Sequence, residues 1–328
     1  MSIVDGYSAD AVAQAADVLA AGGLVGFATE TVYGLGARAD HDAAVAGIYQ
    51  AKGRPADHPL IVHVATLDDA AWFGNLDSPA AQRLAQHLWP GPLTLIVPRR
   101  PGMAEAAAGG QGSIGLRMPS HPVAQALLRA ARARGVPGVA APSANRFGRV
   151  SPTTAAHVAA EFGPGLLVLD GGACEVGIES AIVDCSRAQP ALLRPGQLDR
   201  TRLERLLGGP LAEPGHDAPR ASGTLASHYA PDATVRLMDT QALKAALEVL
   251  RGAPAPKGLA VYSRSVRRAP PGIEWRVMPE HADQVAHELF SVLRDLDERG
   301  ARLIWVETPP PGASWDGVRD RLSRAAAA

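Results

Sequence analysis

Leu24-Val25-Gly26-Phe27-Ala28-Thr29-Glu30-Thr31-Val32-Tyr33-Gly34-Leu35-Gly36 decides how the first half of the chain is read. Residues 24–28 form a short apolar run bounded by turn formers, the pattern of a buried strand. The run leads directly into two threonines and a glutamate, then into a Gly-x-Gly that predicts a turn. Hydroxyls at the end of a strand can bind a small polar ligand, and glycines let backbone N–H groups approach an anion. The same letters also describe a strand end and a turn with no ligand.

Upstream, residues 10–21 carry Val12, Ala15, Ala16 and Leu19 at helical spacing and stop at Gly22-Gly23. Downstream, helices are predicted over 41–52, 78–88, 122–134 and 153–161. Strands are predicted over 59–64, 93–97, 113–117, 138–141 and 166–170, with 181–185 and 191–194 as a closing pair. Mixed strands and helices predict an α/β domain with a mixed twisted sheet over residues 1–207. Residues 208–232 hold many Gly and Pro and little periodicity, which predicts a linker, and loops of that length often act in function. Periodicity restarts in 233–328, as strands at 234–238, 257–262, 273–278 and 302–307 with helices at 240–251, 282–298 and 314–324. That alternation predicts a small C-terminal Rossmann-like α/β domain.

Composition narrows the class. Of 328 residues, 47% are apolar and 20% charged, with a formal net charge of −1. There is no global basic field to hold nucleic acid, so no stable nucleic-acid binding is expected. Aromatics at 5% leave few stacking platforms for RNA. Cys174 and Cys185 make no disulfide framework and no zinc motif, which suits a reducing cytoplasm, and no metal site is expected. The acidic N-terminus does not read as a signal peptide, and the run over 18–28 is expected to be too short to cross a bilayer.

Several further motifs can carry chemistry. Lys52-Gly53-Arg54-Pro55 places two cations before a turn, where Arg can fork onto phosphate and Lys can act as a point charge. A solvated helix end is the plainer reading. His58 and His63 follow, and His63 lies within an apolar strand where a core role is commoner than ligation. Arg117 ends an apolar strand before Met118-Pro119 and needs a partner, either a ligand anion or a structural acid. Pro142-Ser143-Ala144-Asn145 and Ser151-Pro152-Thr153 are hydroxyl-rich, and the second is also a fitting helix N-cap. Glu179-Ser180 and Arg194-Pro195-Gly196 again place polar groups beside apolar strands. His228-Tyr229-Ala230-Pro231 offers aromatics with no evident core to fill. Gly110-x-Gly112-x-x-Gly115 spells a dinucleotide fingerprint, but it opens a strand rather than a helix, so no such cofactor is expected.

Taken in order, Thr29-to-Gly36, Lys52-x-Arg54-Pro55, Pro59-Leu60-Ile61, Trp89-Pro90-Gly91-Pro92-Leu93-Thr94, Arg117-Met118-Pro119, Pro142-to-Asn145, Ser151-Pro152-Thr153, Glu179-Ser180 and Leu193-Arg194-Pro195-Gly196 resemble the YrdC-like threonylcarbamoyl-AMP synthase family. His228-Tyr229-Ala230-Pro231 and the extra domain resemble its long two-domain form. The resemblance implies a basic cavity in which L-threonine, bicarbonate and ATP, with Mg2+, become threonylcarbamoyl-AMP and pyrophosphate. It also implies a downstream threonylcarbamoyl transferase complex acting on position 37 of tRNA. By matching position it implies threonine contacts from Thr31, His63, Arg117, Ala141 and Ser180. It likewise implies ATP contacts from Lys52, Arg54, His58, Ser113, Ser143, Asn145, Ser151, Arg194 and Asp232. His228 and Tyr229 would belong to a lid closing over the cavity. The alternative is an RNA-binding module, or one that senses threonine or nucleotide, built on a similar cavity.

Overall fold

The computed structural model describes residues 3–215, 217–251, 256–266 and 270–328. They divide into two compact units, Met1–Phe147 with Ser151–Thr224, and Gly148–Val150 with Leu225–Ala328.

The first unit runs β1 (Ile3–Asp5), α1 (Ala9–Ala20), β2 (Val25–Phe27), β3 (Gly34–Arg38), α2 (Asp42–Lys52), β4 (Ile61–His63), α3 (Leu67–Phe73), α4 (Pro79–Leu88), β5 (Leu93–Pro98), β6 (Ser113–Arg117), α5 (Pro122–Arg132), β7 (Val139–Ala140), α6 (Ala155–Phe162), β8 (Leu167–Asp170), β9 (Ala181–Asp184), β10 (Ala191–Arg194) and α7 (Arg200–Leu207). One mixed sheet joins the strands in the order β1-β8-β2-β3-β7-β4-β6-β5-β9-β10. Helix α1 starts where Ser8 accepts from the Ala11 N–H, and its buried Val12, Ala15, Ala16 and Leu19 share a core with Val123, Leu127 and Ala131 of α5. Helix α2 ends at Gly53, which takes the left-handed conformation at φ 64° that glycine adopts without strain.

The predicted Gly-x-Gly turn is instead the start of β3. It pairs antiparallel with β2, Phe27 opposite Gly34 and Val25 opposite Gly36. The glycines serve close packing: a Cβ on Gly36 would lie 2.7 Å from Val139 Cγ1 and 2.9 Å from Phe27 Cε1. Strand β1 and the short helices α3 and α7 lie where the sequence predicts no element, having too few residues for a period to show.

Part of the Gly- and Pro-rich segment belongs to this unit. Leu211 is buried, and Ala212 bridges to Ala191. Arg220 N donates to Gln111 Oε1 at 2.8 Å, while Gln111 Nε2 donates back to Arg220 O at 3.1 Å.

The second unit holds β11 (Thr234–Met238), α8 (Thr240–Leu250), β12 (Leu259–Ser263), β13 (Glu274–Val277), α9 (Ala282–Glu298), β14 (Leu303–Glu307) and α10 (Asp316–Ala326). Its parallel sheet has the order β11-β14-β12-β13. Asp239 caps α8 through the Ala242 N–H, in place of a glycine-rich turn. At the end of β14, Glu307 accepts from the hydroxyls of Thr240, Ser263 and Ser265, and burial's upward push is outweighed so that its pKa falls to about 2. Tyr229 does have a core to fill, contrary to its reading from sequence. It is 1% exposed, packs on Phe290 with ring centroids 5.5 Å apart, and lies under the Arg321 guanidinium at 5.4 Å.

Candidate functional site

Adjacent strands β4, β6, β5 and β9 present one face to a narrow cleft in the first unit. Ile61 pairs with Gly115, Gly115 with Ile96, and Thr94 with Ile182, so an isoleucine floor is laid around a residue with no side chain. A Cβ on Gly115 would stand 3.4 Å from Thr94 and 3.5 Å from Ile61. Ser113 and Gln111 form the rim, and Arg220, Ala221 and Ser222 cover the floor.

Two residues further along β6 the surface becomes polar. Arg117 lies in register with His63. Arg117 Nη2 bonds Glu30 Oε1 at 2.7 Å and Nη1 bonds Thr31 Oγ1 at 2.8 Å, while Glu30 Oε2 accepts from Ser120 N at 3.2 Å. Both side chains of the ion pair are 5% exposed. Burial, then the Arg117 charge, pulls the His63 pKa down to about 3, so its imidazole is neutral. His63 Nδ1 and Arg117 Nε are buried without a hydrogen-bond partner in the protein. The Thr29–Tyr33 connection is tied down locally, because Thr29 Oγ1 accepts from the N–H groups of Thr31 and Val32. It is tied to the loop before β9 as well, since Glu30 O and Thr31 O accept from Val176 N and Gly177 N.

The cationic set surrounds this surface. Lys52 is buried at the end of α2, and its ammonium donates to the carbonyls of Ser143, at 2.6 Å, and Asn145. Burial first, and then Arg54, holds its pKa well below the usual lysine value. Arg54 donates to Pro59 O at 3.0 Å and to Ser222 Oγ at 3.5 Å. Arg194 reaches Ser180 O at 3.1 Å, Ser180 Oγ at 3.2 Å and Ser222 O at 2.7 Å. Ser180 Oγ also meets Thr94 Oγ1 at 2.8 Å, and Ser151 donates to the buried Glu179. The His58 ring stacks edge-on to Phe147 at 5.4 Å, and burial and Arg54 lower its pKa.

Thus Thr31, His63 and Arg117 stand together, as do Lys52, Ser143 and Asn145. Arg54, Ser180 and Arg194 converge around Ser222, and Ser113 lies on the rim. Ser143 and Asn145 meet Lys52 through their carbonyls, and the Ala141 N–H is bonded to Ile61 O at 2.9 Å. His228, Tyr229 and Asp232 belong to the second unit. There Arg149 grips the Asp232 carboxylate and lowers its pKa, and Asp232 N donates to Asp297 Oδ2 at 2.7 Å. Glu30, Thr94, Glu179 and Ser222 were missed as site residues. The demand of Arg117 for a buried partner was the one signal pointing to Glu30.

The Sua5, YciO and YrdC family model, described as telomere recombination, matches residues 17–196. The threonylcarbamoyl-AMP synthase C-terminal domain matches residues 198–327. Threonylcarbamoyl-AMP synthase of Pyrococcus abyssi is 35% identical over 321 residues, spanning 95% of this chain and 92% of that one. The Bacillus subtilis protein of the same name is 35% identical over 327 residues, spanning 96% and 92%. The crystal structure of P. abyssi Sua5 complexed with L-threonine matches with a TM-score of 0.87 at 32% identity, covering 99% of this chain and 96% of that one. The chain therefore belongs to the Sua5, YciO and YrdC family, in the form that carries the threonylcarbamoyl-AMP synthase C-terminal domain.

Proposed function

We propose that this cleft condenses L-threonine, bicarbonate and ATP into threonylcarbamoyl-AMP, pyrophosphate and water. The observation that carries the reading is one continuous sheet face, with a flat apolar floor at Gly115 and a buried arginine two residues further on. A purine suits the floor and an amino-acid carboxylate suits the arginine.

The threonine amine attacks the carbon of bicarbonate-derived carbon dioxide and gives a carbamate. A carbamate oxygen then attacks the α-phosphorus, and pyrophosphate leaves. No protein nucleophile is needed, so catalysis rests on positioning and on stabilising negative charge. Arg117 takes the threonine carboxylate, with Thr31, Ser180 and the Ala141 backbone around it. Neutral His63 offers a ring nitrogen without adding charge. Lys52, Arg54 and Arg194 take the triphosphate, with Ser143, Asn145 and Ser151 beside them and Ser113 and His58 toward the nucleoside. ATP, or the pyrophosphate it releases, would displace Ser222 from Arg54 and Arg194.

Among the described residues no three His, Cys, Asp or Glu side chains stand together as ligands. Mg2+ would come with the triphosphate, keep much of its water and supply charge neutralisation there. The product would pass to a transferase that modifies adenosine 37 of tRNA. A cytoplasmic site of action suits the two buried free thiols. Among the described residues no helix is long and apolar enough to cross a membrane.

Pyrophosphate release from ATP tests the reading. It should require both threonine and bicarbonate, and mass spectrometry should find threonylcarbamoyl-AMP. A module that only senses its ligands would bind them and release no pyrophosphate, and that outcome would refute the proposal.

A further inference from the structure

Most polar side chains of the cleft have a part in the reaction proposed above, but Glu30 has none. It is a buried acid in a site whose proposed ligands are a carboxylate and a triphosphate. By charge alone it opposes both ligands, so its presence needs another reason.

Its geometry supplies one. Glu30 and the neighbouring Thr31 grip both Nη atoms of Arg117, at 2.7 and 2.8 Å. The segment that grips is itself fixed, by Thr29 Oγ1 from within and by Val176 N and Gly177 N from the loop opposite. Arginine has many rotamers, and a clamp at both ends of its fork selects one of them. Each Nη keeps a second N–H, and Arg117 Nε is buried without a hydrogen-bond partner, as is His63 Nδ1 on the residue in register. The clamp therefore fixes one orientation of the guanidinium and still leaves it N–H donors for a ligand anion.

We propose that Glu30 is a positioning residue for threonine. It holds Arg117 in one rotamer from which the guanidinium meets the threonine carboxylate, and it does not touch the substrate itself. The inference rests on Arg117 as the partner of that carboxylate.

Calorimetric titration of L-threonine, and separately of a non-hydrolysable ATP analogue, into full-length Glu30→Gln, Glu30→Asp and Arg117→Ala tests both levels. Glu30→Gln keeps the side-chain volume but loses the charged grip. Glu30→Asp keeps the charge but is one methylene too short to reach Nη2. Loss of one charge-assisted bond corresponds to an affinity change of about tenfold or more. Both Glu30 variants should raise the threonine Kd by about that factor and leave the ATP-analogue Kd within about twofold. If Glu30 contributed only charge, Glu30→Gln would bind threonine more tightly and Glu30→Asp would match the native protein. If it only held the fold, both ligands would weaken together. Either result overturns the inference. Loss of threonine affinity in Arg117→Ala without loss in the Glu30 variants overturns the inference alone. Unchanged affinity in all three variants overturns the assignment of Arg117 as well.

Discussion

Acidification should destabilise the first unit through His63, by an amount the structure sets. The pKa of His63 falls from 6.5 to about 3 in the fold, because burial and the Arg117 charge disfavour the imidazolium. Between those values the unfolded chain binds a proton that the folded chain refuses, so stability falls as the pH drops below 6.5 and levels off near 3. The slope is about 1.4 kcal/mol per pH unit, and the accumulated loss at pH 5 is about 2 kcal/mol. A His63→Gln variant cannot titrate there and should lack this component, while every other titrating group stays common to both proteins. The chain's two cysteines, Cys174 and Cys185, are buried and both belong to the first unit, so thiol labelling in urea reports the unfolding of that unit alone. An aromatic disulfide reagent that reacts in acid allows the measurement at about pH 7.5 and pH 5. The difference between the two pH values should be about 2 kcal/mol larger in the wild-type protein than in the variant. Equal losses, within about 0.5 kcal/mol, would show that His63 titrates normally or is charged in the fold. The role of a neutral ring beside Arg117 would then fail.

Other consequences can be checked directly. Arg54→Ala and Arg194→Ala should each weaken ATP binding by about 2–5 kcal/mol, with a much smaller effect on threonine, and unchanged ATP affinity by calorimetry would remove both from the phosphate site. Gly36→Ala should destabilise the first unit by about 1–3 kcal/mol in the same thiol assay, because the new Cβ meets Val139 and Phe27 at under 3 Å; an unchanged midpoint would contradict that packing. Limited proteolysis within residues 208–224 should slow when ATP and threonine are added together. Identical cleavage with and without them would exclude a lid role for this segment.

Wherever neighbours in the chain decide the outcome, the sequence alone was sufficient. Helix α1 with its four buried positions and its stop at Gly22-Gly23, the span of α2, and the strands from β4 onward all follow from period and punctuation, which are local properties. The ordered motifs also made the family legible, because each is a local run of residue types whose order along the chain can be read directly. Three features depended on distant contacts, and only the tertiary structure decided them. The glycines of residues 34–36 read as a turn until Phe27 and Val139 are placed against them and demand a bare backbone. Tyr229 read as an aromatic with no core to fill until Phe290 and Arg321 enclosed it. Arg117 could be assigned a need for an anion, but its partner Glu30 stands 87 residues away, and no local pattern joins them. Burial and pairing are set by what the folded chain brings alongside, so the residue types of the site were present in the sequence while its electrostatics were settled by the fold.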